Sequence, residues 1–458
     1  MITGNTLIGL GYEPAEWFGD ALEVFSNGEW SEEGIRSVCD VYVANIPRTV
    51  EPFDEAVPFY WNLEVLGADE DENGLQVFNT MKEVMKTPTV VTGTIMPDAC
   101  PTGELGQIPV GGVVVTRNAI HPSMHSADIC CSVMATNFGD VNPKELLNIA
   151  NSITQFGAGG RKGYTDWSHI LTDNRILFEG ILSNYYTKDY VAIAMKHLGT
   201  QGASNHFLFV GRSENTGDVW MVTHHGSRGF GASVYKKGMD TAEKFRRKLS
   251  PNTLKRNAWI PFEEKEGRLY WEALQLVREW TKLNHSSLHN KVLDKLKVTS
   301  KDNFWNEHNF VFKRGDLFYH AKGATPLTND FVPDNHCGRR LIPLNMAQPI
   351  LIVKGEETET NLGFAPHGAG RNISRSEHRR RLDSKNISAE EQIALETEGL
   401  DVRFYSGKAD TSELPSAYKN AEEVQRQIEQ FGLGTVMDRI MPYGCIMAGK
   451  QEIYWKKK

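Results

Sequence analysis

From Thr89 onward the chain is written in short β-branched runs broken by Gly and Pro, and this punctuation constrains the fold more than any other feature. Thr89 to Met96, Pro109 to Arg117 and Ile129 to Phe138 are rich in Val, Ile and Thr and bounded by turn formers, which predicts buried strands. His206 to Arg212 and Val219 to His224 flank the polar turn Ser213 to Asp218, a hairpin pattern. Asn309 to Lys322 predicts a second hairpin turning at Arg314-Gly315, and Pro349 to Val353 one more apolar strand. Helical signals stand between them. Asn142-Pro143 opens a helix carrying Leu146, Leu147, Ile149 and Ala150, and Arg268 to about Leu296 is a long amphipathic region. Ser388 with Glu391 starts a helix over Ala389 to Glu396, and Asn420 and Gly432 bracket another from Ala421 to Phe431. Strands and helices are mixed without a regular βαβ period or an internal repeat, so the expected fold class is α+β, one large mixed domain over residues 81–458. Residues 1–80 are acidic and aromatic with no clear period and are expected to form an N-terminal segment packed on that domain.

A net charge of -8 means that any nucleic-acid contact must come from a local basic patch, for which Arg371 to Arg381 is the best candidate. With no run of ~20 apolar residues and no charged-then-apolar leader, neither a membrane span nor secretion is expected, and the expected location is cytoplasmic. Six cysteines in 458 residues, only Cys130 and Cys131 adjacent, read as reduced thiols open to metal ligation rather than as a disulfide framework.

The candidate chemistry lies where turns meet strands. Asp128 and Cys131, three apart at a strand start, offer a hard carboxylate and a soft thiolate to one ion. His206, His224 and His308 each sit at the junction of a turn and an apolar strand; singly each reads as a satisfied polar residue, together they fit ligands presented to a shared cleft. Ala365 to Arg371 reads Ala-Pro-His-Gly-Ala-Gly-Arg, and the two glycines let the backbone at His367 approach a bulky anion. Arg371, Arg375 and Arg379 recur every four residues, behind a Ser374/Glu377 capping pattern that would start a helix. A tight turn before an exposed basic helix is the plainer reading of that stretch. Phe156 to Tyr164, with four glycines, Arg161 and Lys162, reads as a surface loop, a phosphate cradle being the alternative.

Taken in order, Asp128-Ile129-Cys130-Cys131, Leu198-Gly199-Thr200 with Asn205-His206-Phe207, His224 to Gly229, His308-Asn309, His320 to Thr325 and His367 to Arg371 resemble the motifs of the RtcB family of RNA-splicing ligases, from about Met96 to Gly449. The resemblance implies a fold of that family's own type around a central two-metal cleft. It implies two Mn²⁺ ions held by Asp128, Cys131, His206, His224 and His308, with the cysteine bridging. His367 is then the nucleophile that takes GMP from GTP. Asn205, His308, Asn309, Pro343, Asn345, Gly368, Ala369, Gly370, Arg371 and Lys450 fall at nucleotide-binding positions. The implied partners are GTP, RNA bearing 3′-phosphate or 2′,3′-cyclic phosphate and 5′-hydroxyl ends, and an archease-like activator. Four departures bear on base recognition. Phe209 replaces a glutamate, Leu344-Asn345-Met346-Ala347 replaces Gly-Ser-Met-Gly, Lys450 stands in for a terminal Lys-Gly, and Asp98 is followed by Ala99-Cys100-Pro101 without the family's histidine. Two alternatives follow: a cyclic phosphodiesterase or nucleotidyltransferase of other nucleotide specificity, and a non-catalytic RNA-end binder.

Overall fold

The computed structural model describes residues 2–15, 17–44, 49–103, 105–161, 167–335, 337–385 and 387–450. The chain forms two compact units, Met1–Val50 with Arg247–Pro251, and Glu51–Arg246 with Asn252–Lys458. In the first, helices α1 (Gly4–Gly9), α2 (Trp17–Phe25) and α3 (Glu32–Ala44) close over Leu7, Ala21, Phe25, Ile35 and Cys39. The stretch 1–80 divides between the two units, because β1 (Tyr60–Trp61) and α4 (Ala68–Val84) belong to the second.

The second unit is mixed α/β. An eight-stranded sheet runs in the order β13 (Arg340–Pro343), β14 (Ile350–Lys354), β17 (Thr435–Met447), β6 (Phe207–Ser213), β7 (Val219–His225), β5 (Ser132–Gly139) and β9 (Asp302–Glu307), with β16 (Asp401–Phe404) also paired to β17. All its ladders are antiparallel except β16 with β17. A five-stranded sheet orders β1, β2 (Val90–Cys100), β3 (Val110–Arg117), β11 (Leu317–Lys322) and β10 (Asn309–Arg314). Two short pairs complete the set, β12 (Ala324–Pro326) with β15 (Phe364–Pro366) and β4 (Ala119–Ile120) with β8 (Ile260–Pro261). The helices are α5 (Pro143–Ile153), α6 (Ser168–Asp173), α7 (Arg175–Ser183), α8 (Val191–His197), α9 (Arg228–Leu249), α10 (Lys265–Leu296), α11 (Arg375–Asp383), α12 (Ala389–Glu396) and α13 (Ala421–Gln430).

Strand alternation decides what the large sheet offers each side. In the β5–β7 ladder Ser132 faces His225, Val133 faces His224, and Met134 faces Thr223. Ser132, Met134, Thr223 and His225 therefore share the face covered by α10, and Val133 and His224 share the opposite face with Phe207, which pairs with His224. The α10 face is packed with Met134, Phe230, Tyr270, Val277 and Trp280; the opposite face carries Val133, Phe209, Met346, Ile350 and Met447.

The expected strands and hairpins are present, as are the capped helices: Asn142 accepts from Lys144 N and Glu145 N, Ser388 and Glu391 form a reciprocal capping box, and Asn420 caps α13. Among the elements the sequence did not signal, such as α6 to α8, β9 and β16, three others have a readable reason. In α4 the buried face uses Asn73, Gly74 and Thr80 alongside Val77, Met81 and Val84, which blurs the helical period; Gly74 is there because a Cβ would press Val65 at 2.9 Å. In β17 Pro442 and Gly444 read as breakers, and the ladder to β6 does shift register between them. Helix α9 begins directly behind the His225–Ser227 turn, at Arg228 with φ 57°, and the Ser227 hydroxyl before it donates to Ile129 O. All six cysteines are free thiols. None of the described helices is long and apolar enough to cross a membrane.

Candidate active site

Turns at the ends of β6, β7, β5 and β9 deliver the ligand candidates to one place. Cys131 immediately precedes β5, His206 precedes β6, His224 lies at the end of β7, and His308 links β9 to β10. Cys131 Sγ lies 3.2 Å from His224 Nε2 and 3.5 Å from His206 Nε2. His206 Nε2 is 3.0 Å from Asp128 Oδ2, and the Nε2 atoms of His224 and His308 are 3.2 Å apart. Two groups of ligand atoms, Cys131/His224/His308 and Asp128/Cys131/His206, each fall within 4.8 Å and share the cysteine. All five sequence candidates are thus brought together.

The approach demands glycine behind it. A Cβ on Gly202 would overlap the His206 ring, and one on Gly226 would overlap the Asp128 carboxylate. Cys130, between the ligand positions, takes the left-handed backbone at φ 56°, and its N–H donates to Asn309 O at 2.7 Å. Asn309 itself clamps the turn, donating to Asp128 O at 3.5 Å and accepting from Gly323 N at 2.7 Å.

The electrostatics fit a divalent cation. Burial drives His224 down to about 3, so its imidazole is neutral; with Nδ1–H given to Asn205 O at 3.1 Å, Nε2 is a bare lone pair aimed into the cluster. Burial also pushes the Cys131 thiol well above its ordinary value, and the Asp128 charge adds to this. Burial works to raise the Asp128 carboxyl as well, yet the His206 hydrogen bond and the nearby His206 and Arg228 charges hold it below its ordinary value. Lone pairs and a thiol facing one another at 3.2–3.5 Å in a buried space are the donor set a bound cation stabilises.

His367 stands beside this cluster, its ring 4.8 Å from that of His308. Asp98, fully buried in β2, takes both His367 Nδ1 at 2.5 Å and His367 N–H at 3.0 Å on one oxygen. Nε2 is therefore the nitrogen left for chemistry. Gly370, at φ 72°, lets the loop lie against Asp98, whose carbonyl a Cβ would overlap, and a Cβ on Gly323 would press the His367 ring at 3.0 Å.

His224, from the cluster, and His367 line a cavity of about 1220 Å³; Asp128, Cys131, His206 and His308, the last also expected at the nucleotide, are not among its lining residues. One part is apolar, walled by Phe207, Phe209, Leu344, Met346, Ile350 and Met447; another carries Lys322, the 367–371 loop and the α11 arginines. Asn205, Pro343, Asn345, Gly368, Ala369, Gly370 and Arg371 all line it. Asn309 acts behind it as described, and Lys450, whose N–H donates to Lys408 O, is not among its lining residues. Phe209, 2 % exposed, is a packed wall of the apolar part.

Helix α11 forms as expected on Ser374, whose hydroxyl accepts from Glu377 N, but its arginines are not free. Arg375 Nε donates to Glu413 at 2.6 Å, Arg379 to Asp410 at 3.0 Å, and Arg381 forks onto Asp69 at 2.7 and 3.0 Å. Arg228 donates to Thr200 Oγ1 and the Gly157 carbonyl and is not among the cavity's lining residues. The glycine-rich loop that supplies Gly157 is pinned by protein contacts, Gln155 to Gly160 O and Arg161 to Leu198 O, with no strand-to-helix frame; Lys162 to Tyr164 lie outside the described residues.

Sequence reasoning missed Asp98, Lys322 and Glu413 as site residues. Lys322 sits inside the His320–Thr325 motif, and Pro97-Asp98 was noted only for the histidine it lacks. Glu413 gave no local signal. It is buried and held by Arg375, Ser204 and Tyr418, the last at 2.6 Å. The cavity also recruits Asp69, Glu72, Asn73 and Gln76 from α4, a stretch to which no chemistry was assigned.

Fold and site together define a class: a mixed α/β protein in which a Cys/His/Asp ligand cluster stands next to an acid-paired histidine on a large cavity. The family model described as tRNA-splicing ligase RtcB matches residues 172–448, more than half of the chain, and the chain belongs to that family. Among curated relatives, the tRNA-splicing ligase RtcB of Archaeoglobus fulgidus is 26% identical over 90% of this chain and 98% of that protein. That of Thermococcus kodakarensis is 26% identical over 76% and 86%, and that of Aeropyrum pernix 28% over 54% and 59%. At these identities the chain is a divergent member.

Proposed function

We propose that the protein is a metal-dependent RNA ligase that joins 3′-phosphate or 2′,3′-cyclic phosphate ends to 5′-hydroxyl ends through a nucleotidylated His367. The observation that carries the reading is the Asp98–His367 pair beside the ligand cluster. Asp98 fixes the tautomer with the proton on Nδ1 and stabilises the imidazolium that forms as Nε2 attacks the α-phosphorus of a nucleoside triphosphate. An N–P bond forms, the bond to the β-phosphate oxygen breaks, and pyrophosphate leaves. An oxygen of the RNA 3′-phosphate then displaces His367 from the nucleotide. The 5′-hydroxyl attacks the activated 3′-phosphate, releasing the nucleoside monophosphate and sealing the strand. Asp128, Cys131, His206, His224 and His308 would hold the divalent ions, which supply charge neutralisation on phosphate and a lowered pKa for bound water or hydroxyl. Mn²⁺ and GTP are the family's expectation for metal and nucleotide. Cytoplasmic location and an archease-like activator are likewise part of this reading.

Phe209 favours one variant of it, altered nucleotide choice. In the apolar part of the cavity a guanine edge meets Phe209 and Met447 rather than a carboxylate, and Glu413 has both oxygens engaged. Sites built on such an acceptor discriminate by ~10⁴-fold, so its loss predicts labelling by ATP as well as GTP. The test is incubation of Mn²⁺-loaded protein with each radiolabelled triphosphate. Wild type should give an adduct labile in acid and stable in base, and His367→Ala should give none while keeping its metal. An adduct that survives in His367→Ala would overturn the assignment, and strict GTP dependence would overturn the nucleotide variant alone. Cys131→Ala should lose most of the bound metal, because that thiolate belongs to both ligand groups.

A further inference from the structure

Behind the ligand-bearing strands, on the α10 side, lies a buried row of polar groups that the proposed chemistry does not use. Asn303 donates to Thr136 Oγ1 at 3.0 Å, Thr136 meets His289 Nδ1 at 2.7 Å, and His289 Nε2 meets Thr223 Oγ1 at 2.8 Å. Thr223 then meets His285 Nδ1 at 2.7 Å, and His285 Nε2 reaches His225 O at 3.2 Å and Ser132 Oγ at 3.1 Å. The His225 ring stacks on that of His285 with centroids 3.5 Å apart. Apart from Asn303 at the outer end, every member is buried.

Burial holds both α10 imidazoles neutral, lowering His289 to about 3 and His285 well below its ordinary value. A neutral imidazole has one donor and one acceptor, so the chain runs in one direction. Asn303 gives to Thr136, Thr136 to His289, His289 to Thr223, Thr223 to His285, and His285 to the His225 carbonyl. Between these ends, Thr136, His289, Thr223 and His285 each act as both donor and acceptor. That complementarity has a consequence for register. Ser132, Thr223 and His225 alternate along β5 and β7 with Cys131 and His224, so a one-residue slip would turn the ligand residues toward α10 and the hydroxyls toward the cavity. Apolar packing against α10 tolerates such a slip far better than a directional hydrogen-bond chain does, because a half-satisfied buried network is costly.

From this geometry we infer that His285 and His289 are positioning residues: they lock the β5–β7 register and thereby aim Cys131 and His224 into the metal cluster. The inference rests on the metal reading of that cluster. The test compares wild type with a triple variant, Thr223→Val, His285→Leu and His289→Leu, which replaces the chain by apolar groups, and with His285→Gln as the conservative control. Metal-free protein is titrated with Co²⁺ and the thiolate-to-cobalt absorption is followed; separately, ¹⁵N-histidine spectra report the His224 Nδ1–H bonded to Asn205 O. The triple variant should retain its thermal midpoint but bind Co²⁺ ~10–100-fold more weakly, the range for losing the groups that orient ligands. It should also show a weakened or multiple His224 N–H signal, and His285→Gln should recover much of both. Unchanged affinity and one unchanged signal in a folded triple variant would overturn the inference. If the triple variant does not fold, His285→Leu alone, read by the same N–H signal, decides. Should wild type bind no Co²⁺, the metal reading fails, and the N–H signal still tests the register lock by itself.

Discussion

At the residue scale, the Asp98–His367 pair and Lys322 make separable predictions. Asp98→Asn keeps the shape but removes the charge that favours imidazolium, so adduct formation should slow by ~10²-fold or more with metal content unchanged, read by quenched-flow labelling. Lys322 is buried on the cavity wall with its ammonium on Ile108 O at 3.2 Å, and burial lowers it to about 8. It is charged below that value and neutral above, so affinity for a triphosphate should fall as pH rises through about 8, and Lys322→Met should flatten that step in a binding titration. The folding linkage has the opposite sign. A lysine depressed in the folded state is held more strongly by the unfolded chain between about 8 and 10.5, so its contribution to stability improves with rising pH across that window. Cys131 and the three histidines were legible because turn–strand junctions mark side chains at a cleft. Asp98 was not, since a carboxylate inside an apolar strand shows its partner only once His367, 269 positions away, is placed.

At the element scale, glycines and helix α11 carry the expectations. Gly202→Ala should lower metal stoichiometry while leaving helix content intact, because the added methyl overlaps His206 and the far side of that ring is the cluster; metal analysis with circular dichroism checks it. In α11 the arginines are already bonded to Glu413, Asp410 and Asp69, so RNA phosphates have to exchange with carboxylates. The Arg381–Asp69 pair is exposed, a kind worth only ~0.2–1 kcal/mol that exchanges easily, whereas Arg375 ends on the buried Glu413. Arg375→Ala should weaken RNA binding and reduce the salt slope by roughly one unit; unchanged affinity and slope would make α11 a solvated face. Ser374 with Glu377 announced the helix, but the every-fourth spacing does not put Arg371 on it, since α11 starts at Arg375 and Arg371 bridges to Tyr418; its neutralisation was hidden as well, because Asp410 and Glu413 lie some thirty to forty positions on and Asp69 in a stretch without visible period. Strands β2, β3, β6 and β7 were legible from β-branched runs; β17 was not, because Pro442 and Gly444 at its bulge carry the same signature as a turn.

At the scale of the whole molecule, the site binds together segments from Asp98 to His367, and anything held by the cluster should stabilise the fold by mass action. A divalent ion at 100 times its dissociation constant contributes about 2.7 kcal/mol, so chelation should lower the thermal midpoint, and the drop should vanish in Cys131→Ala. The α+β class could be read from the irregular alternation of strands and helices. The division near Val50 could not, since a handful of residues at 247–251 complete the smaller unit from a distant part of the chain. The order β6, β7, β5, β9 in the large sheet has one more consequence, for folding kinetics. The β6–β7 hairpin is local, but β5 joins β7 across 80 or more residues and joins β9 across more than 160, so the five ligands meet only after the slowest loop closures are complete. A partly folded chain offers a cation isolated histidines and no cluster. Metal should therefore leave the refolding rate nearly unchanged and slow unfolding instead, acting as a brake on the way out rather than a guide on the way in.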